Sequence, residues 1–384
     1  MIKKNNSYLW RDALVCTTAS VVLAGVLFMM FLHIHIFDPF EKAFEDFSFT
    51  DIYTSQNFKE NNVTNKIVLI NIENYDRAKI AEAINKIALS NPKVIGLDII
   101  FRDKKDLIKD SILHHSLQKN KNIVSAYILE DKKTVSSNPY FKTTETGFIN
   151  FDQNDAVLRD FTGIKRHDNK IYYAFPVRVL KSAGLLNNIT ENKLENALKI
   201  NYFGNHNSFL TFDLSEVISS DKIPALRNSI VLFGYMGTPT GNIYDIQDKH
   251  FTPLNSKFAG KSIPDMYGIV VHANIIKMLI DANYIYNVPK PIVFILAFCC
   301  CYIFVFIAIF MHKKSALTFH ILLKFFELTI SIVLLYVSLL LLDNNIHIQI
   351  EPIILLSILG LEVVILYDHL LHYLKKRWQW KSYL

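Results

Sequence analysis

The chain has 384 residues, of which 51% are hydrophobic, and its mean hydropathy is +0.21. This composition exceeds what one soluble core requires, and the excess is concentrated in residues 13–37 and 291–374. An ordinary soluble protein is therefore excluded. The net charge of +6 does not indicate nucleic-acid binding, because the excess Lys and Arg residues flank these apolar stretches.

Residues 13–37 carry no charged side chain and are long enough to cross a bilayer, which takes about 20 apolar residues. A cleaved signal peptide would have a shorter apolar region followed by a small-x-small site, which is missing here. We therefore predict an uncleaved membrane anchor. The same criterion predicts three further membrane-spanning helices, at residues 291–311, 318–342 and 350–374.

Basic residues predict how these helices cross the membrane, because Lys and Arg are enriched in cytoplasmic loops. Three basic clusters flank the spans: Lys3, Lys4 and Arg11, then Lys313 and Lys314, then Lys375, Lys376, Arg377 and Lys381. The loop at 343–349 contains neither residue type. We predict cytoplasmic termini at residues 1–12 and 375–384 and an exported domain at 38–290. The expected location is the bacterial inner membrane, crossed several times, with the large domain in the periplasm.

The exported region alternates apolar runs of strand type with segments that have apolar residues at helical spacing. Strand-type runs lie at residues 66–73, 94–101, 122–129, 147–151, 198–203 and 229–234, and helical segments lie at 78–90, 106–118, 175–183 and 267–281. Continuous apolar strands separated by helices are typical of a sheet that is covered on both faces. The predicted fold class is α/β, with a mainly parallel extracytoplasmic sheet flanked by helices, together with four transmembrane α-helices.

The cysteines do not indicate a metal site or a disulfide. Cys16 and the run 299–301 fall within predicted spans, and residues 38–290 contain no cysteine. Consecutive residues on a helix point in different directions, so the cysteine run is a poor metal site. The exported domain cannot use disulfides and must be stabilised by its core. We predict no metal and no cofactor.

Several segments of the exported region resemble one known family. They are Ile67–Ile72, Val94–Phe101, Gly147–Asp152, Asp155–Asp160, Ser229–Gly234, Asp248–Pro253 and Gly268–Asn274. In this order, between one N-terminal span and three C-terminal spans, they are similar to the type-two CHASE domain, a sensory extracellular domain associated with cyclases and histidine kinases. The resemblance implies an extracytoplasmic sensory domain that is usually joined to a cytoplasmic cyclase, kinase or phosphatase. Only ten residues, 375–384, follow the last predicted span, so a separate output partner is expected.

Four polar residues are candidates for a ligand-binding pocket: Asp98, Asp248, Thr252 and His272. Ligands of open α/β sheets bind beyond the carboxyl ends of the strands, and Asp98 follows a predicted strand. Under the alternative interpretation, the aspartates cap turns and helix ends while His272 satisfies a buried carbonyl group. We expect Asp98 and Asp248 to lie together if the pocket exists.

The ionisable residues Lys324, Glu327 and Glu362 lie well inside the predicted spans. Ionisable groups inside a membrane are costly and usually face a partner, so these residues are candidates for a polar relay. Under the alternative interpretation, Lys324 extends to the cytoplasmic surface and pairs with nothing. We expect Glu362 to lie near Lys324 or Glu327, because antiparallel helices joined by a short loop usually pack side by side.

The sequence contains no recognisable catalytic motif. The glycine-containing stretch 234–241 lacks the Lys-Ser/Thr of a phosphate-binding P-loop, and neither a His-Glu-x-x-His nor a Gly-x-Ser-x-Gly motif is present. We therefore predict that the protein is not an enzyme and has no catalytic residues.

Two functions fit this organisation. The first is a sensory or binding subunit whose exported domain relays a signal through the spans to a separate protein in the membrane or cytoplasm. The second is a structural or assembly subunit of a cell-envelope complex. The expected partners are the lipid bilayer, one or more separate proteins and a second copy of the chain, but not nucleic acid.

Overall fold

The computed structural model describes residues 6–31, 48–59, 63–130, 133–151, 156–167, 169–186, 189–238, 245–257, 262–312 and 316–384. Two compact units divide the chain. One contains Met1–Glu41 and Tyr286–Leu384, and the other contains Lys42–Ile285.

The unit Lys42–Ile285 is built on a seven-stranded sheet. Its strands are β1 (Thr64–Asn71), β2 (Val94–Leu97), β3 (Ile123–Glu130), β4 (Lys133–Val135), β5 (Glu145–Phe148), β10 (Phe209–Asp213) and β11 (Ile230–Gly234). Short strands outside it are β6 (Asp160–Phe161), β7 (Ile164–His167), β8 (Lys170–Tyr173), β9 (Leu198–Lys199), β12 (Lys249–His250) and β13 (Met266–Tyr267). The order is β10-β1-β11-β2-β3-β4, and β5 also pairs with β3. Among the described pairs of this sheet, all are parallel except β3 with β4.

Helices cover both faces of the sheet. They are α2 (Phe49–Asn57), α3 (Arg77–Ala88), α4 (Leu107–Lys119), α5 (Phe175–Ser182), α6 (Glu191–Glu195), α7 (Leu214–Ser219) and α8 (Gly268–Asp281). Side chains of a strand point alternately to opposite faces, and β1 illustrates the result. Ile67 and Leu69 pack in a core with α5 and α8, whereas Val68 and Ile70 pack in a second core with α3, α4 and α7. This explains why the strands are continuous apolar runs.

The expected α/β fold with a mainly parallel sheet and flanking helices is confirmed. Three predicted strands differ in extent, because β2 ends at Leu97, β5 spans Glu145–Phe148 instead of 147–151, and the run at 198–203 contributes only the two residues of β9. The strand β10 was not predicted, although it forms an edge of the central sheet beside β1. Its residues are only partly buried after Phe209, so they lack the continuous apolar pattern of the other strands.

A buried ion pair fixes α2 in the unit Lys42–Ile285. Asp51 lies in the first turn of α2 and forms a capping box with Ser48. The guanidinium of Arg159 donates hydrogen bonds to both carboxylate oxygens of Asp51, with the shortest N–O distance at 2.6 Å. The exposed fractions of the two side chains are 5% for Asp51 and 14% for Arg159, so the pair is shielded from solvent.

The second unit contains four long helices: α1 (Asn6–Phe31), α9 (Lys290–Phe310), α10 (Ala316–Asp343) and α11 (Glu351–Trp378). Each includes a stretch long and apolar enough to cross a membrane: Ser7–Met29, Lys290–Phe310, Thr318–Asp343 and Glu351–Leu371. The first helix begins earlier than the predicted span at residue 13, and residues 32–37 of that span lie outside the described residues. Two short strands, β14 (Tyr286–Asn287) and β15 (Ile346–His347), pair in parallel in this unit.

The four-helix unit is held together by small residues and by one buried carboxylate. A methyl group at Gly360 of α11 would lie 2.5 Å from Sγ of Cys301 in α9, so these helices pack closely. Asp12 of α1 is fully buried and accepts hydrogen bonds from the hydroxyls of Tyr367 and Ser382 and from the backbone N–H of Tyr383. The carboxylate thereby joins α1 to α11 and to the segment that follows α11.

Candidate functional site

The carboxyl ends of the parallel strands form a polar edge that is organised by Asn71, the last residue of β1. Asn71 is buried, and its side-chain oxygen accepts hydrogen bonds from the backbone N–H groups of Glu73 and Met236, at 3.2 and 2.9 Å. Its side-chain amide donates to the carbonyl oxygen of Gly237 at 3.1 Å and to the carboxylate of Asp213 at 3.3 Å. One amide side chain therefore joins the ends of β1 and β10 to the loop that follows β11.

Asp98 and Asp248 lie close enough at this edge to interact electrostatically. The backbone N–H of Asp98, which follows β2, donates to the carbonyl oxygen of Phe233 at 2.9 Å. Asp248 has a φ of 56°, a conformation that Asp adopts more readily than most residues. Its carboxylate lies beside the first residue of α8, because a methyl group at Gly268 would be 3.2 Å from both carboxylate oxygens. We call Asp98 and Asp248 the edge pair.

The surroundings of the edge pair disfavour negative charge. Burial raises the pKa of Asp98 well above its usual range, and the neighbouring Asp248 raises it further. Burial also raises the pKa of Asp248 to about 6. Asp98 is nevertheless only partly buried and Asp248 is exposed, so solvent reaches both residues. The carboxyl group of Asp248 can therefore take up a proton near pH 6, and either carboxylate can pair with a cationic group.

Thr252 lies in a turn after β12 and is bonded to Asp265. The backbone N–H of Thr252 donates to one carboxylate oxygen of Asp265 at 2.8 Å, and its hydroxyl donates to the other at 2.5 Å. Burial raises the pKa of Asp265 to about 6, although the bonds from Thr252 act in the opposite direction. Thr252 is fully buried, so its bonds to Asp265 hold this turn in place.

His272 lies on α8 in an aromatic part of the core, with 2% of the residue exposed. Its ring centroid is 4.8 Å from that of Phe151 and 5.3 Å from that of Phe175, and His250 contacts the same Phe151 ring. Burial lowers the pKa of His272 to about 3, and His250 contributes to the same shift. Its Nδ1 atom has no hydrogen-bond partner among the described residues. His272 is therefore a neutral core side chain at physiological pH.

The structure thus brings together two of the four predicted pocket residues. Asp98 and Asp248 form the edge pair, whereas Thr252 bonds to Asp265. The described residues show no hydrogen bond, ion pair or electrostatic interaction between His272 and the edge pair.

Two carboxylates of this edge, Asp213 and Asp245, were not predicted from the sequence. Tyr235 follows β11, and its hydroxyl donates to a carboxylate oxygen of Asp245 at 2.6 Å. The pKa of Glu73 is raised by burial and by the nearby Asp213. Asp213 ends the unpredicted strand β10, so an assignment of that strand would have identified it. The glycine-containing stretch 234–241 is described only up to residue 238, because residues 239–244 lie outside the described residues.

Among the candidate residues of the predicted spans, Lys324 contacts both Glu327 and Glu362, the second of these across α10 and α11. The ammonium of Lys324 donates to a carboxylate oxygen of Glu327 at 2.9 Å and also to the carboxylate of Glu362. The exposed fractions of these side chains are 56% for Lys324, 10% for Glu327 and 41% for Glu362. We call these three residues the membrane cluster.

Comparison with known protein families identifies the domain. The family model described as CHASE2 domain matches residues 71–309 of the chain. The chain belongs to the CHASE2 domain family. CHASE2 is a sensory extracellular domain family. No curated protein and no solved structure matches the chain significantly.

The CHASE2 match separates the two groups of candidate residues. It begins at Asn71 and ends at residue 309 in α9, so it includes the edge pair, Thr252 and His272. The membrane cluster lies after its end. The edge pair is therefore part of the region that the family shares, and the membrane cluster belongs to spans beyond that region.

Proposed function

We propose that this protein is a membrane-anchored sensory or binding subunit. Its CHASE2 domain lies in the periplasm of a bacterial cell, and its four helices cross the inner membrane. A signal received by the domain passes through these helices to a separate protein partner, and the chain itself catalyses no reaction. The proposal is supported by the CHASE2 match and by four helices with the length and composition of membrane spans.

The proposed orientation rests on charge. Arg11 precedes most of the apolar part of α1, and Lys375, Lys376 and Arg377 lie in the last turn of α11. The opposite ends of these helices carry no such cluster, and the turn between α10 and α11 contains no Lys or Arg. The positive-inside rule then puts both termini in the cytoplasm and residues 42–285 on the opposite side.

The edge pair is the observation that carries the binding function. Two neighbouring residues with raised carboxyl pKa values, Asp98 and Asp248, are reached by solvent at the carboxyl end of a parallel sheet, where ligands of open α/β folds bind. A ligand with a cationic or strongly hydrogen-bond-donating group would neutralise Asp98 and Asp248 and offset their desolvation. We therefore propose small cationic ligands, such as amines, as the class that this site recognises.

A thermal-shift screen of organic amines against the detergent-solubilised full chain tests this site. Active amines should stabilise the wild type and should lose this effect in Asp98→Asn and in Asp248→Asn. The matched control is Asp221→Asn, which removes an exposed carboxylate outside the sheet edge. If the stabilising amines act equally on all four proteins, the edge pair is not the binding site.

The alternative function, an assembly subunit of an envelope complex, is favoured by one surface. Leu107 and Ile108, at the start of α4, have exposed fractions of 85% and 74%. Exposed apolar side chains that lie side by side are a feature of contact surfaces. Under this alternative, Leu107→Ser with Ile108→Ser would release proteins that co-purify with the wild type, and the edge-pair substitutions would not.

A further inference from the structure

The membrane cluster contains more negative than positive groups. Lys324 of α10 is the single cation among its three members, and it contacts both Glu327 and Glu362. The Oε1 atom of Glu327 is buried and has no hydrogen-bond partner among the described residues. One ammonium group therefore pairs with two carboxylates, and one carboxylate oxygen of Glu327 has no hydrogen-bond donor among the described residues.

The cluster lies deep in the spans. At about 1.5 Å per residue, Glu327 is roughly 14 Å from the start of its span at Thr318, and Glu362 is about 14 Å from the end of its span at Leu371. The hydrocarbon core of a bilayer is about 30 Å thick, so both carboxylates lie near its middle. Water is scarce at this depth, and an excess charge there is costly.

The cluster is also open on one side. Lys324 and Glu362 expose 56% and 41% of their side chains at the surface of the four-helix unit. Lipid solvates apolar side chains that are exposed on a span, but an ion pair that is exposed to hydrocarbon is energetically unfavourable. The span of α10 is only 11% buried, whereas the other three spans are 28–39% buried. Lys324 therefore lies on the span that the other described helices of this unit cover least.

We propose that a membrane helix of a partner protein packs on this face and presents an Arg or Lys side chain to Glu362. The added cation would balance the second carboxylate, and the helix would shield Lys324 and Glu362 from lipid. This inference rests on the proposed relay for its role in signalling. It adds the chemistry by which the partner would be recognised. In this arrangement the signal passes from α10 and α11 of the four-helix unit to the helix of the partner.

Two other ways of covering the cluster fit the charges less well. A second copy of this chain would bring its own excess carboxylate, so two copies would join two negative clusters. A proton shared between Glu327 and Glu362 would balance the charge, but it would leave the pair of Lys324 with Glu362 exposed to lipid. A cationic helix meets both requirements.

The test uses synthetic membrane-spanning peptides as probes. The full chain is reconstituted in phosphatidylcholine vesicles with dansyl-labelled Leu-Ala peptides of 23 residues, about one bilayer thickness, that carry Arg, Leu or Glu at the centre. Energy transfer from the native tryptophans, Trp10, Trp378 and Trp380, to the dansyl group measures association. The Arg peptide should bind about threefold to tenfold more tightly than the Leu peptide, as modest polar contacts in membranes allow. The Glu peptide should bind no better than the Leu peptide.

Substitutions locate the contact. Glu362→Gln should abolish the preference for Arg, whereas the control Glu351→Gln, at the other end of the same span, should retain it. Lys324→Met should increase the preference because it removes the internal cation, and misfolding would not produce such a gain.

Equal binding of the Arg and Leu peptides would overturn the proposal, and so would an Arg preference that survives Glu362→Gln. Self-association of the chain that is lost in Glu362→Gln would assign the face to a second copy and would also overturn it. These results are independent of the periplasmic ligand. A chain that binds the Arg peptide but responds to no amine would refute the proposed sensing and retain the docking face.

Discussion

Replacement of His272 by leucine should change how the stability of the protein depends on pH. In the folded chain, burial lowers the pKa of His272 to about 3, from 6.5 in an unperturbed side chain. As the pH falls below 6.5, the unfolded chain takes up a proton at this residue and the folded chain does not. The stability that neutral His272 contributes is therefore complete above pH 6.5 and is lost as the pH falls towards 3.

The size of this effect follows from the two pKa values. Proton uptake at His272 in the unfolded chain lowers the free energy of unfolding by about 2 kcal/mol at pH 5 and by only about 0.2 kcal/mol at pH 7. Leucine has a similar volume, fits between Phe151 and Phe175, and takes up no proton. The free energy of unfolding of His272→Leu, relative to wild type, should therefore rise by about 2 kcal/mol between pH 7 and pH 5.

Urea unfolding followed by short pulses of thermolysin, on the detergent-solubilised full chain, measures this difference. Tryptophan fluorescence is unsuitable, because Trp10, Trp378 and Trp380 all lie outside the unit that contains His272. The control His115→Leu removes an exposed imidazole and should follow the wild type at both pH values. If His272→Leu and wild type lose the same stability between pH 7 and pH 5, His272 is not a buried neutral side chain.

Three further substitutions test the site and the fold. Asp98→Asn should gain stability relative to wild type in urea unfolding as the pH rises from 4 to 8, because its raised pKa makes ionisation unfavourable in the folded state. Asp51→Asn should lower the free energy of unfolding by about 3–5 kcal/mol because it removes the buried carboxylate that pairs with Arg159, whereas Glu191→Gln, in an exposed pair, should leave stability unchanged. Gly147→Ala should lower it by roughly 1–3 kcal/mol, because the new methyl group would lie 2.5 Å from the backbone of α5. Unchanged unfolding of Asp51→Asn or Gly147→Ala, or no pH-dependent gain in Asp98→Asn, would contradict the corresponding contact.

The parallel sheet could be predicted because its strands are buried on both faces. In β1, β2 and β11 successive side chains alternate between the two cores, so these strands appear in the sequence as apolar runs. The same criterion misses β10, which lies at the edge and is only partly buried. It also overextends the run at 198–203, where buried and partly buried apolar residues pack on the core without continuing a strand.

The candidate site could be predicted only where strand ends identify it. The expectation for Asp98 followed from its position after β2, and the structure places it beside Asp248. The positions of Thr252 and His272 depend on the residues that pack around them. Thr252 bonds to Asp265, and His272 contacts the ring of Phe151. Such contacts arise from tertiary packing, which residue patterns along the chain do not contain.

The side of the membrane on which the CHASE2 domain lies is the central claim of the proposed function. Ser136 is exposed in this domain, and Lys376 is exposed at the end of α11, so each can be replaced by cysteine without disturbing a core. The native cysteines lie in α1 and α9, and the wild-type chain gives the background of labelling. In intact spheroplasts, a membrane-impermeant maleimide should label Ser136→Cys, and it should label Lys376→Cys only after lysis. Labelling of Ser136→Cys only after lysis would place the domain in the cytoplasm and contradict the account.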